Sequence, residues 1–233
     1  MNILALDTAG DACSVALAAG ERVIERLEAA PRRHAAALLP MAEDCLAEAG
    51  LALGDLDAIA FGRGPGSFTG LRIAAGVAQG IAFGTGLPVV PISNLAAGAV
   101  AACRLRGWRR TVVAYDARMD EAYVAAYVLD EREEVVLVGE EALVAPAALD
   151  VPAALGLPAG LDWCGAGSAF GAWPELAGRL GLIDVDPSVS PRACDLLALA
   201  RQALARGETV PAEAALPVYL REQVAWQGGP GRR

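Results

Sequence analysis

The chain has 233 residues, 55% of them hydrophobic and 20% charged, with a formal net charge of −9; this is enough for one large domain or two small ones with packed cores, and it excludes wholesale disorder. All 19 basic residues are arginine, which excludes Schiff-base, P-loop and kinase-type lysine chemistry. The only histidine is His34, so one chain cannot build a multi-histidine metal site.

The acidic balance makes the chain a poor solo binder of nucleic acid, whose affinity comes mostly from neutralised phosphates. The local group Arg104, Arg106, Arg109 and Arg110 reads as solvated turn residues. Cysteines stand at 13, 45, 103, 164 and 194, without zinc or redox spacing. They read as reduced thiols of a cytoplasmic protein. Asp7 and Asp11 interrupt the N-terminus and no basic leader region is present, so no signal peptide is expected.

In chain order, residues 3–7 form a short apolar run ending in an acid. Segments 13–18 and 22–27 follow tight turns, which predicts a three-strand meander. Segment 33–49 has apolar residues at 38, 41, 45, 46 and 49, a helical spacing. Gly50 is its stop signal, and Pro40 predicts a kink or a late start. Residues 58–61 are a strand, 70–84 a helix, 89–92 a strand and 95–105 a helix. The uncharged stretch 73–103 is read as this helix, strand and helix rather than a membrane span. Its glycines, Pro88 and Pro91 interrupt it, and Gln79, Ser93 and Asn94 lie inside it. The order then restarts. Segment 111–115 ends at Asp116 as the first strand ends at Asp7, and 122–129 and 134–138 follow, joined by an acidic turn. Residues 145–160 read as irregular or weakly helical, Trp163-Cys164 leads into Gly165-Ala166-Gly167, and 193–206 reads as a helix. Two copies of a meander with interleaved helices predict an α/β, two-lobed, actin-like fold with a reduced second lobe.

Two local patterns carry candidate chemistry. The loop GRGPGSFTGLR (62–72) lies between a strand and a helix. Its Gly64 and Gly66 allow close backbone approach, and Ser67 or Thr69 can cap the helix. It is either an anion or phosphate site at a helix N-terminus or simply a tight turn. An actin-like ATPase or phosphotransferase needs an acid on each of two phosphate-facing hairpins. Asp7 and Asp116 are the candidates, with Gly165 and Gly167 as the remnant of an adenosine loop. Against this, residues 8–12 lack the basic or amide side chains that hold phosphates. The second pattern is Gly76, Gly80 and Gly84, four apart along one helix face. Such a ridge lets another helix come close. That helix is either 33–49 of the same chain, with Leu38, Met41 and Cys45, or part of a second subunit.

Four stretches, ILALDTAGDACSVAL, GRGPGSFTGLRIA, YDARMDEAY and PVYLREQVAW, closely resemble the bacterial TsaB family, also called YeaZ. They fall in order from residue 3 to residue 226, so the resemblance spans nearly the whole chain. Two departures are Ala74 and Asp120, each where the family usually has glycine. The resemblance implies a two-lobed, Hsp70-type actin-like fold. The expected division is 1–108 and 109–233, with the C-terminal helix returning to the body and a flexible tail at 227–233. It also implies a part in tRNA modification, the making of threonylcarbamoyladenosine beside the anticodon of tRNAs reading codons that start with A. In that scheme the paralogue TsaD transfers the threonylcarbamoyl group, and the ATPase TsaE joins the pair. The chain is then a non-catalytic partner subunit that reaches tRNA only through the complex. Its contact with TsaD would use the first-lobe helices, here through His34, Leu38, Met41, Cys45, Gly76, Gly80 and Gly84. The same face could form a homodimer when TsaD is absent. No catalytic residue, metal or resident cofactor is expected, although weak ATP or ADP binding is compatible with the loops. The paralogue's HxxxH metal pair cannot be built around His34 alone, which also disfavours the old glycoprotease label. DARM-x-E-x-Y joins two strands of the second lobe; Arg118 and Glu121 are expected to pair across the turn, and a role for the motif at the cleft between lobes is left open. Residues 217–221 are expected to dock on the body as an extended segment.

Overall fold

Strands β1 (Asn2–Asp7), β2 (Cys13–Ala19) and β3 (Arg22–Glu28) form the antiparallel meander, and β4 (Ala58–Gly64) and β5 (Val89–Ser93) extend it in parallel beyond β1. The first sheet has the order β3-β2-β1-β4-β5. Strands β6 (Arg110–Arg118), β7 (Glu121–Leu129), β8 (Val135–Val144), β9 (Cys164–Ala166) and β10 (Asp184–Asp186) repeat the arrangement as β8-β7-β6-β9-β10. β6 pairs antiparallel with β7 and parallel with β9, as β1 does with β2 and β4. The restart read from the sequence is therefore a duplicated sheet, and the fold is the two-lobed actin-like α/β plan. This computed structural model describes residues 1–29, 33–132, 134–149 and 155–221.

The first sheet is buried on both faces, and most of its alanines lie on one of them. Leu4, Leu6, Val15, Leu17, Ile59 and Phe61 point to helices α1 (His34–Ala49) and α2 (Phe68–Thr85). The alternate residues Ile3, Ala5, Ala16, Ala18, Ala58 and Ala60 face helix α6 (Ala193–Ala205) through its Ala193, Leu196, Leu197 and Ala200. Small residues on that face let the helix lie close to the sheet. Helix α3 (Asn94–Arg106) does the reverse. It follows the first lobe in sequence, yet its Leu95 and Ala99 pack on Val113, Ala125 and Tyr127 of the second sheet. Each lobe thus borrows a helix from the other half of the chain. The strands of the first sheet end at Ser93 and those of the second begin at Arg110, while α3, between them in sequence, packs on the second sheet.

Several sequence expectations are corrected. Arg104 is no turn residue: it lies on α3 and forms a two-pronged pair with Asp195 of α6, at 2.8 and 2.9 Å. The Asp195 carboxylate is buried and also accepts the Arg192 N–H. Arg106 pairs with Asp184 and Asp186. α1 begins at His34 without delay and continues through Pro40, which has no N–H to give the carbonyl one turn back. Gly50 ends it in the left-handed conformation, as expected. β8 runs six residues beyond the predicted 138, because an edge strand tolerates the exposed Glu140. Two four-residue helices, α4 (Ala169–Ala172) and α5 (Leu176–Arg179), and the short β10 fill the part of the second lobe that gave no periodic signal. The tail 227–233 lies outside the described residues.

All five cysteines are unpaired. Burial pushes the Cys13 thiol up to about 11 and the Cys194 thiol up to about 12, so neither is a ready nucleophile. No described helix is long and apolar enough to cross a membrane. Among the described residues no group of three His, Cys, Asp or Glu side chains is placed to hold a metal.

Candidate functional site: the meeting point of the signature segments and an open helix face

The end of β1 is closed rather than open. Asp7 is buried, and its Oδ1 accepts from Asn94 Nδ2 at 2.8 Å and from the Ala9 N–H at 3.3 Å. Asn94 Oδ1 in turn accepts the Gly64 N–H at 2.8 Å, so this amide staples the ends of β1 and β4 together. Gly62 must be glycine there, because a Cβ would come within 2.8 Å of the Asn94 amide. The glycine-rich loop then lies down on the β1–β2 turn. The Ser67 N–H donates to the Ala9 carbonyl at 2.8 Å, and the Thr8 hydroxyl donates to the Gly70 carbonyl at 2.7 Å. A Cβ on Gly66 would stand 2.7 Å from the Ala9 oxygen. Ser67 Oγ accepts the Gly70 N–H and caps α2, while Thr69 is exposed and makes no cap. These contacts are those of a tight strand-to-helix turn. The backbone of Ala9 and Thr8 lies directly against Gly66 and Gly70.

The second half of the proposed nucleotide set is no more open. Asp116 Oδ1 accepts the Arg118 N–H at 2.7 Å, and its Oδ2 pairs with the Arg118 guanidinium at 3.1 Å. Gly165 is packed against Phe170 and Leu182, and a Cβ on Gly167, at φ +111°, would lie 2.5 Å from the Ala114 carbonyl. Both are packing glycines of the second core. Two surface grooves of about 450 and 410 Å³ lie elsewhere, and neither is lined by Asp7, Asp116, Gly64, Gly66, Gly165 or Gly167. The set Asp7, Gly64, Gly66, Ser67, Thr69, Asp116, Gly165 and Gly167 is thus not gathered around one open site.

The β6–β7 turn holds Arg118, Met119 and Asp120 in three successive left-handed conformations, φ 63°, 58° and 55°. Asp tolerates this region better than most residues, which lets Asp120 stand where the family has glycine. The expected Arg118–Glu121 pair is not made. With φ positive, Arg118 turns back to Asp116 and into solvent, and Glu121 pairs with Arg221 of the tail, Nε to Oε2 3.0 Å. Tyr123 packs against the cluster of α3 and the second sheet.

The helix face divides. Leu38, Met41 and Cys45 lie in the first core, at 0%, 8% and 0% exposure. They hold α1 on its own sheet and are withdrawn from any partner surface. His34 is half-buried, with Nε2 3.3 Å from the Asp11 carbonyl oxygen. Gly76, Gly80 and Gly84 are all exposed, and a Cβ on any of them would meet nothing within 4 Å. The ridge therefore does not serve α1. Phe83, one turn from Gly80, is 86% exposed, and Leu39 of α1 is also exposed. Sequence reasoning passed over Phe83, although a helical wheel places it on the glycine stripe.

Comparison with known proteins agrees with this architecture. The family model of TsaD, tRNA N6-adenosine threonylcarbamoyltransferase, matches residues 27–166. The chain is 44% identical over 233 residues to the tRNA threonylcarbamoyladenosine biosynthesis protein TsaB of Escherichia coli, covering all of both. The chain belongs to the TsaB family. The TsaB of Haemophilus influenzae is 39% identical over 246 aligned positions, covering 100% of this chain and 98% of that one. The solved YeaZ of Pseudomonas aeruginosa superposes with a TM-score of 0.85 at 49% identity, over 94% of this chain and 99% of that one. As a TsaB-family member the chain is a protein of tRNA threonylcarbamoyladenosine biosynthesis.

Asp7 can be tested apart from any partner of this TsaB-family protein. Burial raises its carboxyl above the ordinary 3.8, against the lowering effects of Asn94 and the Ala9 N–H. A raised folded-state pKa contributes stability that is present below the unfolded value and lost as pH climbs through the folded one. Asp7→Asn keeps the Oδ1 acceptor and removes the charge. Its Tm at pH 7 is expected to equal or exceed wild type by up to about 2–4 °C, with a flatter pH dependence above pH 4. Thermal melts across pH check this; a loss of stability at every pH contradicts it.

Proposed function

We propose that this protein is a non-catalytic partner subunit of the tRNA threonylcarbamoyl transferase, docking on TsaD through the outer face of α2 and joined there by TsaE. The observation that carries the reading is the glycine stripe. A glycine inside a helix costs about 1 kcal/mol relative to alanine. Three of them in α2 offer a Cβ open space, so no packing among the described residues offsets that cost. A second helix seated closely on the stripe does. Between Arg72 and the helix end α2 bears no charge, and exposed Phe83 supplies a large apolar contact beside the stripe. In this reading TsaD carries out the transfer, and tRNA is reached only through the complex, because a chain of net charge −9 lacks the basic surface that phosphates require. The same face is where two copies would pair in the absence of TsaD, and the setting is the cytoplasm. The alternative of an intrinsic ATPase or phosphotransferase loses support from the burial of Asp7 and the filled loop.

Light scattering of an equimolar mixture with TsaD tests the pairing. One 1:1 species is expected, with negligible ATP turnover by this chain alone. Two separate masses together with ATP hydrolysis by this chain would overturn the proposal.

A further inference from the structure

The tail ties the two lobes together at the signature segments. Residues 217–221 form no helix or strand. The Val218 N–H donates to the Arg63 carbonyl of β4 at 2.8 Å. The Val218 carbonyl presses so close to Gly64 that a Cβ there would lie 2.7 Å away, and Gly64 holds φ +113°. Tyr219 Oη accepts from Arg72 Nε at 3.1 Å, and its ring stands 5.4 Å from that of Phe68. The Arg72 guanidinium covers Phe68 at 3.8 Å. Two residues on, Arg221 reaches the second lobe. Its Nε bonds Glu121 Oε2 at 3.0 Å, and its Nη2 donates to the carbonyls of Ala117 and Arg118 at 3.1 and 3.4 Å. Five residues therefore span from the β4–α2 loop to the β6–β7 turn.

We propose that residues 217–221 are a releasable interlobe strap that locks the β6–β7 turn and couples it to the start of α2. Three left-handed residues in succession persist only where their surroundings hold them. The guanidinium of Arg221 does this by gripping the two carbonyls that enter the turn. Its charged fork is a strong, directional contact. The strap itself sits on little apolar surface. Tyr219 is 42% exposed, and the Arg221 and Glu121 side chains are 20% and 36% exposed. A segment with few buried contacts opens well below the free energy that unfolds the cores. It can thus lift while both sheets stay intact. This role also explains Gly64, which serves as the seat of the strap rather than as a phosphate cradle. The inference needs no partner and stands on this chain alone.

Native-state hydrogen exchange on the full chain tests it. Arg221→Ala is expected to speed exchange about tenfold both in 116–121 and in 62–72, on the opposite lobe, while β1, β2 and α6 stay protected. Arg221→Lys, a milder change that keeps the charge and loses the fork, should show the same pattern at smaller amplitude. Arg221→Glu should free both regions, and adding Glu121→Arg should restore protection in 62–72. Acceleration confined to 116–121, a uniform rise across both lobes, or no rescue by the charge swap would overturn the strap.

Discussion

Gly80→Leu is expected to abolish or weaken association with TsaD by at least about tenfold while the chain itself stays folded. A Cβ at this position meets nothing within 4 Å among the described residues, on an exposed face of the helix. The substitution even removes a helix-interior glycine, which favours the helix by roughly 0.5–1 kcal/mol. The melting temperature should therefore hold or rise by a few degrees. At a close helix–helix contact the same side chain is an overpacking change, which costs about 1–3 kcal/mol. Titration calorimetry with TsaD, alongside a thermal melt, separates the outcomes. An unfolded variant would place the stripe inside the molecule. Unchanged affinity in a folded variant would move the docking surface elsewhere.

Gly70→Ala should do the opposite, damaging the fold before any partner is involved. Gly70 sits in the first turn of α2, and a Cβ there would run into the Thr8 backbone carbonyl, which cannot move without dragging β1. The Thr8 hydroxyl bond to the Gly70 carbonyl is lost with it. Overpacking against backbone, together with a broken buried hydrogen bond, is expected to cost about 3 kcal/mol or more. For a chain of this length that lowers Tm by roughly 6–12 °C. Gly76→Ala, on the open stripe of the same helix, should show no such loss. Equal stability of the two variants would contradict the packing described for the loop.

These two glycines show what a sequence reading can and cannot reach. Apolar runs and turn signals are local, so β1, β2 and β3 were legible as a meander and the restart at residue 111 announced its copy; that the sheet is buried on both faces was not legible, because the covering helices come from distant parts of the chain. Periodicity also identified the apolar stripe of α1. It could not say whether Leu38, Met41 and Cys45 meet their own sheet or another chain, because burial is a property of the assembled fold. The same gap applies to the glycine-rich loop. Its local composition suits a phosphate cradle and a tight turn equally, and the backbone that lies against it comes from Thr8 and Ala9, some 60 residues earlier. Arg104 looked like a solvated charge because its partner, Asp195, lies 91 residues away. Arg221 and Glu121 are 100 residues apart, and no spacing rule connects them. The short helices α4 and α5 escaped notice for a different reason, since four residues are too few to display a period.

The reading of this chain as an essential but non-catalytic subunit meets its most direct test in a reconstituted transferase. Purified TsaD, TsaE, tRNA and a source of threonylcarbamoyl-AMP are assayed for modified adenosine with this chain, without it, and with Gly80→Leu in its place. Modification that requires the wild-type chain, survives Asp7→Asn and falls with Gly80→Leu is the predicted result. Modification at the full rate without this chain, or its loss on Asp7→Asn in a folded protein, would contradict the account.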